Sequence, residues 1–261
     1  MPFFKAGSIK YYKFPSLDNS GVYHALFTRH GGISPFPWKS LNFGASVGDD
    51  IQRVLQNREK ALSAIKVKLE SVYDTYQIHS NEIVLTDQPL PMKSTHLKAD
   101  AIITNKSNVT LMMRFADCVP ILLFDPVTRT IGILHAGWKG TVNKIAGKTV
   151  LEMEQNYGTN PKNLLAAIGP SIGPDHYTVG GDVVEKVHSS FGDKSEQLII
   201  DNRGKVNFDL WKANQIVLNE VGVTKIEISG ICTSCNLKDW FSHRGEHGKT
   251  GRFGVVIGLC G

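Results

Sequence analysis

Three residues of types that can ligate metals stand beside breaks in apolar runs. His79 lies in Tyr76-Gln-Ile-His-Ser80, Cys118 in Arg114-Phe-Ala-Asp-Cys-Val-Pro120, and His135 opens His135-Ala-Gly-Trp-Lys-Gly140. Catalytic zinc takes three protein ligands from His, Cys and carboxylate and leaves a fourth position to water. Two imidazoles and one thiolate meet that count. Their long separations match no local metal-binding string, so by residue type alone a buried cysteine and two satisfied histidines near a core is the stronger reading. Asp117, beside Cys118, is placed either to orient one of the histidines or to cap a turn.

The remaining cysteines add one motif, Cys232-Thr-Ser-Cys235. A zinc ribbon needs a second such pair, and only Cys118 and Cys260 are left. A redox pair of the thioredoxin kind opens a helix after an early strand, which this C-terminal context does not offer. The motif therefore reads as structural. His243 and His247 fall in a glycine-rich tail loop, and His24, His30, His96, His176 and His188 read as ordinary histidines.

The elements that must position these groups follow from periodicity. Apolar runs at 22–28, 82–86, 100–104, 109–113, 119–124 and 130–134 have strand length and turn residues between them. Asp125-Pro-Val-Thr-Arg-Thr130 is a hairpin turn with Pro at a turn position. His135 then ends a strand, and Cys118 precedes one. Helical spacing predicts helices over 50–70, capped by Asp49-Asp50, and over 141–157, with Gly158 as its left-handed terminus. Further strands are expected at 164–168, 197–201, 225–231 and 253–259, and helices at 182–191 and 209–221. Strands interleaved with helices, some strands joined by hairpins, predict an α/β fold: a single mixed-sheet domain over residues 1–261 with its site at strand ends.

Composition sets the class. With 41% hydrophobic and 20% charged residues the chain is rich enough to build a core, and no linker or charge run divides it. The net charge is +5, but Lys and Arg are scattered, without the stripe of a nucleic-acid binder. Attraction for phosphate-bearing small molecules is compatible with that balance. No apolar run approaches the ~20 residues of a membrane span, and the N-terminus lacks a secretory pattern. The expectation is a soluble cytoplasmic protein with no nucleic-acid or membrane partner.

Longer strings carry a resemblance. The signatures are Thr28-Arg-His-Gly-Gly-Ile-Ser34, Ser40-Leu-Asn-Phe-Gly44, Val47-Gly-Asp-Asp50 with Asn57-Arg58, Gln77-Ile-His79 and Ala99-Asp-Ala101. They continue with Ala116-Asp-Cys-Val-Pro-Ile121, His135-Ala-Gly-Trp-Lys-Gly140, Ile168-Gly-Pro-Ser-Ile-Gly173, Phe241-Ser-His-Arg244 and Thr250-Gly-Arg252. From about residue 22 to 259 the chain resembles the laccase-domain or YfiH-like family. That family was first described as multicopper polyphenol oxidases and is now regarded as zinc-dependent purine nucleoside phosphorylases. The chain departs from the family pattern at Ser80, where glycine commonly follows the first ligand. It departs again at Ser171, where cysteine is usual, and at Asp175-His176, which replace a nearby cysteine.

The resemblance implies that His79, Cys118 and His135 are the catalytic metal ligands, with zinc as cofactor and copper as an alternative occupant. It implies phosphorolysis of adenosine, inosine, guanosine or 5'-methylthioadenosine by inorganic phosphate to the base and ribose 1-phosphate. A minor adenosine deaminase activity accompanies it, in which a zinc-held water adds to purine C6. Arg29, Arg58, Arg244 and Arg252 sit inside family strings and are candidates for phosphate, which suits the planar guanidinium fork. Asn42 is a candidate for ribose or base, and Lys139 with the amides of Gly137 to Gly140 a candidate anion site. Three alternatives stay open. Cys118 with His135 as base would make a cysteine hydrolase. A copper polyphenol oxidase would need an axial Met and many more histidines. The third is a non-catalytic metal-binding module.

Overall fold

Strands whose every residue is buried, such as Val119–Asp125 and Thr130–Ala136, need cover on both faces. The structure, a computed structural model that describes residues 2–91, 94–202 and 204–261, supplies it by stacking two sheets between helices. In chain order β1 (Phe3–Ala6), β2 (Ile9–Tyr12) and β3 (Val22–Phe27) precede α1 (Ile51–Ala64). Next come β4 (Val72–Asp74), β5 (Ile83–Leu85), β6 (Ala101–Thr104), β7 (Thr110–Phe115), β8 (Val119–Asp125) and β9 (Thr130–Ala136). Helices α2 (Trp138–Val142) and α3 (Ile145–Tyr157) lead to β10 (Leu165–Ile168) and α4 (Gly181–Phe191). The chain ends with β11 (Ile199–Asn202), β12 (Lys205–Phe208), α5 (Leu210–Glu220), β13 (Lys225–Ile228) and β14 (Phe253–Leu259).

One sheet is ordered β1-β2-β3-β14-β7-β4 and the other β13-β10-β8-β9-β6-β5, while β11 and β12 pair separately. Both large sheets are antiparallel except at outer pairs: β4 runs parallel to β7, β13 to β10 and β5 to β6. Side-chain alternation sorts the layers. Leu111, Met113, Val255 and Ile257 of the first sheet meet Leu122, Phe124, Ile131 and Ile133 of the second in one core. On the outer face of the first sheet, Met112 and Val256 pack on Ala61 and Leu62 of α1. On that of the second, Ile121, Leu123 and Leu134 pack on Met153, Val187 and Val217 of α3, α4 and α5. Each such buried aliphatic side chain contributes about 1.5–3 kcal/mol.

The mixed α/β architecture is as expected, with the strands divided between two sheets. The 125–130 hairpin forms as expected, and the Asp125 carboxylate accepts from the Val127 amide and the Thr128 hydroxyl. The first helix is capped by Asp50, which accepts from Gln52 and Arg53, but ends at Ala64 rather than 70. Lys66 takes φ 60° there and turns the chain away. The helix expected over 141–157 is two pieces, broken where Lys144 takes φ 59°. β9 continues past Leu134, so His135 lies within the strand, and its ring sits 5.5 Å from that of Phe115. Strands β1, β2, β4 and β12 were not anticipated; they are only three or four residues long and carry little periodicity. No helix among the described residues is long and apolar enough to cross a membrane.

One core histidine gives the fold a pH dependence. His24 on β3 is 2% exposed, and its Nε2 accepts the Phe14 amide hydrogen at 2.7 Å. Burial, then nearby Lys13, pushes its pKa down to about 4. The unfolded chain takes up that proton near pH 6.5 and the folded one only near 4. The His24 contribution is therefore complete above about pH 6.5 and is lost as the pH falls toward 4, by up to about 3 kcal/mol. Urea titrations should show a flatter stability profile over that interval in His24→Gln, and an unchanged slope would refute the assignment.

Candidate active site and metal centre

The loop after β4 and the start of β6 build the first part of the site together. Asp100, fully buried, accepts the amide hydrogens of Ile78, His79 and Ser80 at 3.2, 3.1 and 2.6 Å, and the Ser80 hydroxyl at 2.8 Å. These bonds hold His79 at φ 59°, a conformation unfavourable for a residue with a Cβ. The same carboxylate lies 2.8 Å from His135 Nδ1. One buried acid thus fixes both histidines and leaves His135 Nε2 for a ligand. Burial alone would raise the Asp100 pKa, but the His135 and Ser80 contacts outweigh it and hold it near 2.

Cys118 enters from the opposite strand. It follows Asp117, at φ 85°, and opens β8 beside β9, where Pro120 pairs with His135. The donor atoms of His79, Cys118 and His135 all lie within 4.8 Å of one another. A Cβ on Gly137 would come 2.9 Å from Cys118 Sγ and 3.2 Å from His79 Cδ2, so only glycine lets the backbone close over the cluster. Burial would raise the Cys118 thiol, yet His135 and then His79 bring it down to about 6. His135 shows the reciprocal effect: burial lowers it, while Cys118 and Asp100 raise it to about 9. Two imidazoles, an easily ionised thiol and a carboxylate that orients one ligand make a donor set that fits a metal ion. Asp100→Asn should weaken metal affinity about 10–100-fold. A competing chelator measures this, and wild-type affinity in that variant would sink the orienting role.

The cluster lies in the wall of a cavity of about 680 Å³. Arg58, Arg114 and His96 line it and converge on Asp74, at 3.5, 2.9 and 2.7 Å. Two guanidiniums and an imidazole around one carboxylate leave excess positive charge facing the cavity. Arg58 also donates twice to the Phe43 carbonyl, and its burial pulls its pKa down to about 10. Elsewhere in the lining, Arg244 stacks 5.4 Å from the Tyr177 ring. Arg252 is held with its pKa lowered by burial, against the pull of Cys118 and Asp117. Ile51, Leu55, Ile172 and Leu210 add apolar surface.

Residues 23–260 match the family model described as multi-copper polyphenol oxidoreductase laccase. The chain belongs to this family. Among relatives of this laccase-family chain, the Bacillus subtilis protein named purine nucleoside phosphorylase YlmD is 36% identical over 252 residues, covering 93% of this chain and 90% of the relative. A Deinococcus radiodurans protein named purine nucleoside phosphorylase is 35% identical over 241 residues, covering 92% and 90%. The crystal structure of YlmD from Geobacillus stearothermophilus superposes with a TM-score of 0.91 at 33% identity, covering 100% of this chain and 99% of that one.

Of the six substrate-binding candidates read from the sequence, Arg58, Arg244 and Arg252 line the cavity of this laccase-family chain and Arg29, Asn42 and Lys139 do not. Arg29 is engaged elsewhere: it donates to the carbonyls of Leu237 and Lys39, pairs with Glu246 at 3.0 Å and lies over Phe241. Asn42 is fully buried and turned inward, accepting the amides of Gly44 and Arg252 and donating to Asp49, so it positions Arg252 from behind. Lys139 is exposed on the five-residue α2, its ammonium over the Trp138 ring, and that turn is too short to present an anion site. Asp117 orients neither histidine; it accepts the Thr233 hydroxyl at 2.7 Å and the Arg244 amide at 2.6 Å.

Arg114 and His96 in the lining, and Asp100 behind it, had no motif to announce their roles. Arg114 sits inside the apolar strand Thr110–Phe115, and an arginine in such a run is itself a signal, because charge is buried there only when paired. His96 was set aside as an ordinary histidine, and Asp100 stood in a family string without an assigned role. Both owe their positions to long-range pairing that no local pattern encodes.

Proposed function

We propose that this chain is a zinc-dependent purine nucleoside phosphorylase with a minor adenosine deaminase activity. Its substrates are adenosine, inosine, guanosine or 5'-methylthioadenosine with inorganic phosphate. The observation that carries the reading is one cavity holding both the His79–Cys118–His135 donors and the Arg58–Arg114–His96 cluster. Relatives named purine nucleoside phosphorylase at 35–36% identity support the same reaction. Zinc suits two imidazoles and one thiolate without redox chemistry, and among the described residues no methionine lines the cavity to serve as a blue-copper axial ligand.

In phosphorolysis a phosphate oxygen bonds to ribose C1' as the C1'–N9 bond breaks, and the electron pair leaves with the purine, which takes up a proton. Arg58 and Arg114 hold the phosphate, with Asp74 fixing their forks and His96 adding a third donor. The apolar surface of Ile172 and Leu210 with the Tyr177 ring takes the base, and Arg244 and Arg252 offset charge that develops on the leaving purine. A metal bound by His79, Cys118 and His135 supplies a Lewis acid in the same cavity. Ser80 and Asn81 follow His79 where dedicated zinc deaminases place a proton-shuttling glutamate, so deamination is the slower reaction.

A second reading rests on the Cys118–His135–Asp100 alignment, which has the order of nucleophile, base and orienting acid. His79, held in a strained turn by three amides to Asp100, has no task in a metal-free hydrolase and favours the metal site. Adenosine incubated with phosphate should yield adenine first and inosine with hypoxanthine more slowly. Both activities should fall together in His79→Ala. Inosine formation that survives loss of the metal would separate the two activities and defeat the one-site assignment.

A further inference from the structure

The Cys232-x-x-Cys235 motif, unused by the active site, is joined by two residues distant in sequence. The loop after β10 brings Asp175 and His176 against it, and the donor atoms of Asp175, His176, Cys232 and Cys235 all lie within 4.8 Å of one another. His176 Nδ1 is 2.9 Å from Asp175 Oδ1. Cys235 Sγ is 3.5 and 3.8 Å from the two ring nitrogens of His176. The Gly173 amide donates to Cys232 Sγ at 3.2 Å and holds the sulfur against the 173–176 loop. All four cysteines of the chain are free thiols.

The Cys235–His176 separations are those of neighbouring donors in a tetrahedral site, and the shorter Asp175–His176 contact is a direct ion pair. With zinc–sulfur bonds of about 2.3 Å and zinc–nitrogen bonds of about 2.0–2.1 Å, neighbouring donors stand roughly 3.3–3.8 Å apart. The two cysteines have the spacing of a zinc knuckle, and two thiolates with an imidazole select zinc over the hard cations magnesium and calcium. The backbone is arranged for the approach. A Cβ on Gly173 would lie 2.8 Å from Asp175 Oδ1 and 3.1 Å from Cys232 Cβ, so glycine there eases the close passage of the two loops. The loops are already in register, since Ser171 bridges to Cys232 and the Thr233 amide donates to the Ser171 carbonyl.

We propose that Asp175, His176, Cys232 and Cys235 form a second, structural zinc site, separate from the His79–Cys118–His135 centre and independent of the reaction assigned to it. Four protein ligands leave no open position, which is the mark of a structural ion rather than a catalytic one. The site staples the 173–176 loop to the 232–235 loop. Those loops carry part of the cavity wall: Tyr177 follows His176, Thr233 donates to Asp117, and the Arg244 guanidinium donates to the Thr178 carbonyl. A zinc ion there fixes the Tyr177–Arg244 wall without touching substrate.

The test is metal stoichiometry by mass spectrometry on protein purified with zinc and a thiol reductant and then dialysed. Wild type should hold two zinc ions per chain, Cys118→Ala one, Cys235→Ser one, and the double variant none. Cys235 is exposed, so its serine variant leaves the core intact. With cobalt in place of zinc, Cys118→Ala should keep a thiolate-to-cobalt absorption band that disappears when Cys235→Ser is added. One zinc lost in Cys235→Ser but not in Cys118→Ala would support this site while removing the first. The proposal is overturned if Cys235→Ser holds as much zinc as wild type, or if reductant-purified protein carries a Cys232–Cys235 disulfide.

Discussion

Cys118→Ala is expected to empty the primary centre and lower kcat/KM about a thousand-fold while leaving the fold near wild-type stability. The size follows from what the ion contributes. A bound metal is worth several kcal/mol of charge stabilisation in the transition state, and about 4 kcal/mol corresponds to roughly a thousand-fold in rate. The fold should tolerate the change because Cys118 sits at the strand entrance and contributes its sulfur to the cavity wall, while the cores on both faces of β8 are built from Ile121, Leu122, Leu123 and Phe124. His79 and His135 stay anchored by Asp100. Metal analysis and a nucleoside assay on the same preparation check both halves. Full metal occupancy with unimpaired turnover would refute the ligand assignment.

Replacing Arg114 by glutamine should raise the KM for phosphate about 10–100-fold and leave the KM for nucleoside within about two-fold. A hydrogen bond to a charged group is worth about 1.5–3 kcal/mol, and loss of one guanidinium from the Asp74 cluster removes at least one such bond to phosphate. Asp74 keeps Arg58 and His96 as partners, so its charge is not stranded. Arg29→Gln is the contrasting variant. It breaks the ion pair with Glu246 and the ties to the 237–240 loop, so stability should fall with little change in the phosphate KM. Steady-state kinetics with each substrate varied in turn separates the two outcomes. A phosphate KM unchanged in Arg114→Gln would place the anion site elsewhere.

How much of this was legible in the sequence depends on the range of the signal. His79, Cys118 and His135 stood out because thiol and imidazole chemistry coincides with strings specific to one family, and the fold brings their donor atoms within 4.8 Å of one another. The buried strands β8 and β9 announced themselves as continuous apolar runs, and the hairpin between them by its Asp-Pro turn. The short strands β1, β2, β4 and β12 did not, since pairing rather than periodicity makes them. The interruptions at Lys66 and Lys144 lie where lysine adopts a left-handed conformation, which residue type does not forecast. For the arginines, membership in a family string did not reveal which way a side chain turns. Arg29 and Arg58 looked alike in sequence, yet one ties a loop to Glu246 and the other faces the cavity beside Asp74. Asp100 acts through a turn at residues 78–80 and a ring on β9, contacts that exist only after both sheets have formed.

The most direct test of the central claim is the fate of the ribose. Purified enzyme given adenosine and phosphate should release adenine and ribose 1-phosphate in equal amounts, at a rate that rises with phosphate concentration to saturation. Free ribose, formed equally fast without phosphate, would contradict it.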